Sequence, residues 1–223
     1  VAAGATPVGG GTALYSAAFP ATLGPTAVLL REDPPRAPVP GVLPAATTLD
    51  QLAGHTHGAS ALRDAAAVAA NPAVRRRATL GGWVALRAVR SDVSAPLVVL
   101  GAQVVVLDSA GRSSAVPITD YLEGRAPADL ITEVLVPRWR WPSCYRRVSA
   151  STVPGPLHLG LAGVRCPDGS VELAVGGVGR VPDVLTIPAG TDPGPQVEQY
   201  VLSSPVLQRR LQLLFQEVWD ALD

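Results

Sequence analysis

Two short glycine runs constrain this chain more than anything else in it. One is Gly9-Gly10-Gly11 followed by Thr12; the other is Thr79-Leu80-Gly81-Gly82, inside the stretch RRRATLGGWVALRAVRSD from Arg75 to Asp92. Glycine admits a backbone closer to a neighbour than any residue with a Cβ, and successive N–H groups in such turns form anion-binding concavities. Each run also has a plain structural explanation as a tight loop. Two of them in one small protein, each flanked by threonine, predict a two-sided grip on something long and phosphorylated.

Composition removes several classes of function. The 223 residues hold 18 basic and 18 acidic side chains, so the formal charge is zero and nucleic acid is a poor partner. Every basic residue is arginine, which we read as GC-rich coding and not as a site. No apolar run reaches the roughly 18 residues of a membrane span, and no segment resembles a signal peptide. Cys144 and Cys166 are the only cysteines, too few for an iron–sulfur cluster or a zinc site of their own. A cytoplasmic protein is the default expectation.

The pattern along the chain alternates short strands with short helices. The opening reads as a loop running into the first glycines, so a strand–helix unit that would precede Val1 is expected to be missing. Thr26–Leu30 has strand length, and the proline-dense run Asp33–Pro44 reads as an irregular connection. Thr48 is placed to cap a short helix, and Ser60–Ala70 predicts another with Leu62 and Ala66 on one face. After the Thr79–Gly82 loop, Pro96–Ala102 suits a short buried helix. Gln103–Leu107 and Ser114–Ile118 flank an Asp-Ser-Ala-Gly turn and read as a hairpin. Leu130–Val136 is a further strand, and the tryptophan-proline run Pro137–Pro142 marks a boundary. Beyond it, His158–Val164 and Val171–Gly177 form a second hairpin. The last helix carries Ser204 as cap, Pro205 in the first turn, and Leu207, Leu211, Leu214, Phe215, Val218 and Leu222 as an apolar stripe. The expected division is 1–140 and 141–223.

No hydrolytic constellation accompanies these elements. There is no Gly-x-Ser-x-Gly elbow, and the three histidines are His55, His57 and His158. His55 and His57 could start a metal site, but no third ligand stands at a recognisable spacing, so they read as solvated loop residues. Cys144 has no histidine near it in sequence. Arg75, Arg76 and Arg77 read first as a solvated loop, yet they stand where positive charge would help hold a pyrophosphate. Asp92 could cap the helix after it, or accept hydrogen bonds from sugar hydroxyls.

Taken together, these blocks resemble the FAD-binding medium subunit of the molybdenum hydroxylases. That family includes the carbon monoxide dehydrogenase medium subunit and the PCMH-type FAD domain of xanthine dehydrogenase. VGGGTAL at Val8–Leu14 is similar to the family's Ala-Gly-Gly-Thr-Asp-Leu loop. GVLPAATTLDQLA at Gly41–Ala53 is similar to its Ile-Gly-Ala-x-x-Thr run. RRATLGGW is similar to its Arg-Asn-x-x-Thr-hydrophobic-Gly-Gly-Asn loop, with SDVSAPLVVLGAQVVVLDSAGR following at family-like spacing. ITEVLVP and CYRRV are similar to its later strands, and the last 60 or so residues to its small C-terminal domain.

The resemblance implies an α+β protein: a PCMH-type FAD-binding fold in two small lobes, then a C-terminal domain with an antiparallel sheet and helices. It implies FAD as cofactor, held at Val8, Gly9, Gly10, Gly11, Thr12, Ala13 and Leu14 and at Thr79, Gly81, Gly82 and Trp83. Asp92 would meet sugar hydroxyls, Leu135 would pack by the flavin, and Arg146 would stand near the ring. No residue of this chain is implied as catalytic and none as a metal ligand. Partners would be an iron–sulfur subunit and a molybdenum subunit, with NAD, a quinone or oxygen as acceptor. The chain departs from the pattern at Trp83 (asparagine expected), Ala13 (a polar residue expected) and Arg146 (lysine expected). Those departures leave a second reading open: a flavin-free member using the cleft between lobes as a small-molecule cyclase or isomerase. A third is a scaffold that only joins other subunits.

Overall fold

The computed structural model describes residues 5–15, 26–30, 39–55, 59–125, 130–149, 157–200, 202 and 204–222. His57 and the Asp33–Pro38 part of the expected connection lie outside them. The opening, read from sequence as a loop, contains strand β1 (Ala5–Val8), which pairs in parallel with β2 (Thr26–Leu29). A parallel partner lies far along the chain, so no local turn signal could announce it. Between the two, the glycines lead into a turn of 3-10 helix at Thr12–Tyr15.

The expected irregular connection also has to be corrected at its end, where Val42–Pro44 forms strand β3. Proline is tolerated there because β3 is the edge of a four-stranded sheet and needs few outward donors. Helix α1 (Leu49–Ala53) starts at the expected cap with both halves of a capping box. The Gln51 amide donates to Thr48 Oγ1 at 3.2 Å, and the Thr48 amide donates to Gln51 Oε1 at 2.8 Å. Helix α2 (Ser60–Val68) buries Ala61, Leu62, Ala65 and Ala66 on one face. Asn71 then caps a single turn, α3 (Pro72–Arg75), its side chain accepting from the Val74 amide at 3.0 Å.

The second glycine run is not a loop. It is the first turn of helix α4 (Leu80–Ala85), with Thr79 as N-cap accepting from the Gly82 amide at 3.2 Å. Helix α5 (Ser94–Val99) is buried along its whole length. Strands β4 (Gln103–Leu107) and β5 (Ser113–Pro117) form the expected hairpin, followed by a helix not foreseen from sequence, α6 (Ile118–Glu123). Strand β6 (Leu130–Leu135) completes the order β3-β6-β4-β5, all antiparallel. Val104 and Val106 of β4 point inward at alternate positions, as a sheet with one buried face requires.

Beyond Trp139 and Trp141 the chain enters a second antiparallel sheet, order β10-β9-β8-β7. Its strands are β7 (Ser143–Ser149), β8 (Leu157–Arg165), β9 (Val171–Gly176) and β10 (Asp183–Ile187). One face sets Tyr145, Ala162, Val164 and Ala174 into the core that contains α2 and α5. The other face sets Leu159, Leu161, Leu173 and Val175 against helix α8 (Pro205–Leu222), which follows the short α7 (Gly194–Gln199). This two-sided burial explains why β9 is almost uniformly apolar. Helix α8 buries Leu211, Leu214, Phe215, Val218 and Leu222, the expected stripe apart from half-buried Leu207. Each such side chain contributes about 1.5–3 kcal/mol by leaving water. The helix lies so close to β8 that a Cβ on Gly163 would fall 2.7 Å from Val218 Cγ1.

Candidate functional site

Strand β1 delivers the first glycine run to the edge of the segment that joins α3 to α4. Gly11 has a φ of +69°, a backbone conformation that favours glycine. Gly9 and Gly10 are required for a different reason, which is contact. A Cβ on Gly10 would lie 1.5 Å from the Arg77 carbonyl oxygen, and one on Gly9 would lie 2.6 Å from Thr79 Oγ1. The two glycine-bearing segments therefore touch directly. The amides of Gly9, Gly10, Gly11 and Thr12 donate to no acceptor among the described residues.

The facing segment is organised in the opposite way. Its amides are already committed: Leu80 to the Thr47 carbonyl at 2.8 Å, Gly81 to the Ala45 carbonyl at 2.9 Å, and Trp83 to the Thr79 carbonyl at 2.8 Å. With Gly82 bonded to its own cap, the start of α4 has no donor left over in that turn. Gly81 is pressed on Ala45, whose Cβ would be 2.6 Å from an added Cβ. Gly82 would crowd Thr79 Oγ1 at 2.9 Å.

Two cavities flank the first glycine run and share it as a wall. One, about 680 Å³ with its open mouth, is lined by Thr6, Pro7 and the run Val8–Leu14 on one side and by Thr79, Gly82, Trp83 and Leu86 on the other. The other, about 1320 Å³ and more open, adds Leu29, Asn71, Val74 and Arg77 to the same run. Among the described residues, neither lining contains a carboxylate. The sequence pointed to Val8–Leu14, Thr79, Gly82 and Trp83, which meet here. It passed over Thr6, Pro7, Asn71 and Leu86; only Asn71 carried a signal, as the residue before Pro72 at a helix start.

Asp92, Leu135 and Arg146 line neither cavity. Asp92 does not cap α5, whose N-cap is Val93. It is buried at 3% exposure between the first core and β7, where Oδ1 accepts from the Tyr145 hydroxyl at 2.9 Å and Oδ2 accepts from Arg147 at 3.2 Å. Burial, the largest influence, pushes its carboxyl above the ordinary 3.8, against the lowering effects of Arg147 and the Tyr145 hydroxyl. Tyr145 fits because its neighbour two places along β8 from its register partner Ala162 is Gly160; a Cβ there would be 2.4 Å from the phenol oxygen. Leu135 is half-buried on β6, in register with Val42 and Gln103. Arg146 pairs with Asp64 at 3.5 Å.

The other nucleophile and metal candidates stay outside this site. Burial pushes the Cys144 thiol up to about 11, so it is neutral at ordinary pH and poorly suited to attack. Its Sγ donates to the Val218 carbonyl at 3.4 Å. His55 meets Trp139 edge-on, with ring centroids 6.2 Å apart. No group of three metal-binding side chains occurs among the described residues. No helix among them is long and apolar enough to cross a membrane.

Amides without an acceptor and walls without a carboxylate, both among the described residues, and a tryptophan beside a largely apolar lining suit an anionic ligand with a flat aromatic portion. The comparisons with known proteins point the same way. Residues 42–139 match the family model of the FAD binding domain in molybdopterin dehydrogenase. Among solved structures, a Cu,Mo-CO dehydrogenase in its cyanide-inactivated form superposes with a TM-score of 0.77 at 20% identity, covering 98% of this chain and 89% of that one. CO dehydrogenase from Oligotropha carboxidovorans gives 0.76 at 19% identity, with 98% and 89% covered. Quinoline 2-oxidoreductase from Pseudomonas putida 86 gives 0.75 at 18%, with 98% and 91% covered. No curated protein matches the sequence. The chain is thus an α+β protein with the fold of chains in these CO and quinoline oxidoreductases, and its residues 42–139 match a domain model whose cofactor is FAD.

Proposed function

We propose that this chain is the electron-transferring flavoprotein component of such an oxidoreductase. It takes electrons from the iron–sulfur clusters of a partner subunit, which a molybdenum subunit reduces, and passes them to NAD, a quinone or oxygen. Bound FAD supplies the redox chemistry, and the protein contributes binding, orientation and electrostatics. The observation that carries this reading is the glycine run, whose four amides have no acceptor among the described residues, set against the start of α4 inside the matched FAD domain. Work in the cytoplasm belongs to the same proposal.

On this reading Gly9, Gly10, Gly11 and Thr12 donate to the phosphates, while Val8, Ala13 and Leu14 hold the turn in place. Thr79, Gly82 and Trp83 shape the facing wall, and Gly81 lets α4 begin against Ala45. Leu135 and Arg146 have no part in this reading, since they line neither cavity. Asp92 reaches a sugar hydroxyl only if Tyr145 or Arg147 releases one of its oxygens. The test is the absorbance spectrum of the purified chain, before and after heat release of bound small molecules. Two flavin bands with FAD in the supernatant support the proposal. A colourless protein that also refuses added FAD overturns it.

A further inference from the structure

We infer that Arg77 is a phosphate-binding residue, and that the larger cavity on its side of the glycine run takes the cofactor's pyrophosphate; this rests on the flavin reading above. Four observations lead there. First, the free donors of Gly9–Thr12 belong to the wall that both cavities share, so anion binding is possible from either side. Second, the smaller cavity contributes no cation, and the facing amides of Leu80, Gly81, Gly82 and Trp83 are spent inside the fold. A phosphate there would meet one set of amides and no countercharge.

Third, the larger cavity does contain a guanidinium, and of the three consecutive arginines only Arg77 lines it. Arg75 is tied back to the Ala70 carbonyl at 3.0 Å, and Arg76 lines neither cavity. Arg77 is exposed, forms no ion pair among the described residues, and meets no carboxylate among the described residues of the surrounding lining. Fourth, the backbone carrying Arg77 is fixed to the glycine run itself, since Gly10 has no room for a Cβ over the Arg77 carbonyl. A guanidinium on a backbone that touches the amide donors is positioned to share one anion with them. Planar guanidinium recognition of phosphate oxygens is stronger than a neutral hydrogen bond. The smaller cavity, with Trp83 and its apolar neighbours, is then left for a flat ring.

The experiment compares the cofactor-stripped wild-type chain with Arg77→Gln and, as a neighbouring charge control, Arg76→Gln. Dissociation constants are measured for FAD, riboflavin and inorganic pyrophosphate at two salt concentrations. Arg77→Gln is expected to weaken FAD about tenfold, to leave riboflavin unchanged because it has no phosphate, and to flatten the salt dependence. Arg76→Gln is expected to stay within about twofold of wild type. Equal FAD affinity for the two variants overturns the inference and leaves the flavin reading standing. If the wild type binds no FAD, the flavin reading falls, and pyrophosphate alone then decides. Binding that disappears in Arg77→Gln upholds the anion site, and binding that is absent or indifferent to the substitution removes it.

Discussion

The two glycine runs look alike as sequence and do opposite work as structure. Gly9–Thr12 follows a strand, holds one residue at positive φ, and keeps its amides unbonded among the described residues. Thr79–Gly82 begins a helix and gives every amide of that turn to Thr47, Ala45 or Thr79. The difference shows that a Gly-Gly pair beside threonine marks close backbone approach, and that what is approached decides its role. In the first case it is Arg77 and, on our reading, a ligand; in the second it is the Ala45 turn of the same core.

The largest effect that sharpens this contrast is expected from Gly10→Ala. The methyl group cannot coexist with the Arg77 carbonyl at 1.5 Å, so the run must move off its seat. FAD binding is expected to fall about a hundredfold or more, because several charge-assisted bonds of roughly 1.5–3 kcal/mol each are lost together. Thermal stability of the remaining fold should change little. Gly81→Ala is the mirror experiment. Its methyl meets Ala45 Cβ at 2.6 Å inside the core, and overpacking of this kind costs about 1–3 kcal/mol, read from urea unfolding. If Gly81→Ala removes binding at full stability, the contrast fails.

Thr79→Ala comes next. It deletes the N-cap acceptor for Gly82, at a cost of about 1 kcal/mol in the same urea assay. Smallest is the pH effect of Asp92→Asn. The Asp92 pKa is raised in the folded chain, so its favourable contribution is complete below the unfolded value of 3.8 and is lost as pH rises through the folded value. The stability difference between wild type and Asp92→Asn should therefore drift against wild type as pH climbs from 3.8. A flat difference would mean that Arg147 and Tyr145 just offset burial, and a drift in favour of wild type that they outweigh it.

Local chemistry made much of the fold legible. The Asp108–Gly111 turn announced the β4–β5 hairpin, the Thr48 cap announced α1, and the leucine stripe announced α8. What failed to show was set at long range. Glycines are poor helix formers, so nothing local says that Thr79 caps a helix; the bonds from Leu80 and Gly81 to Thr47 and Ala45 decide it. Strand β3 was hidden by its prolines, and β1 by the distance to its parallel partner. The glycines and Trp83 that meet at the cavities were legible in the sequence, but the burial of Asp92 was not, because its hydrogen-bond partner Tyr145 lies far along the chain on β7. Arg77 could be singled out from its two arginine neighbours only by its place in the cavity wall.

Hydrogen exchange of the backbone amides, with and without added FAD, tests the central claim most directly. The amides of Leu80, Gly81 and Gly82 should exchange slowly in both states, since their acceptors lie within the fold. Those of Gly9, Gly10, Gly11 and Thr12 should exchange fast in the free chain and become protected when FAD binds. Protection that appears at Leu80–Gly82 while Gly9–Thr12 stay fast would contradict the assignment of the first glycine run as the phosphate cradle.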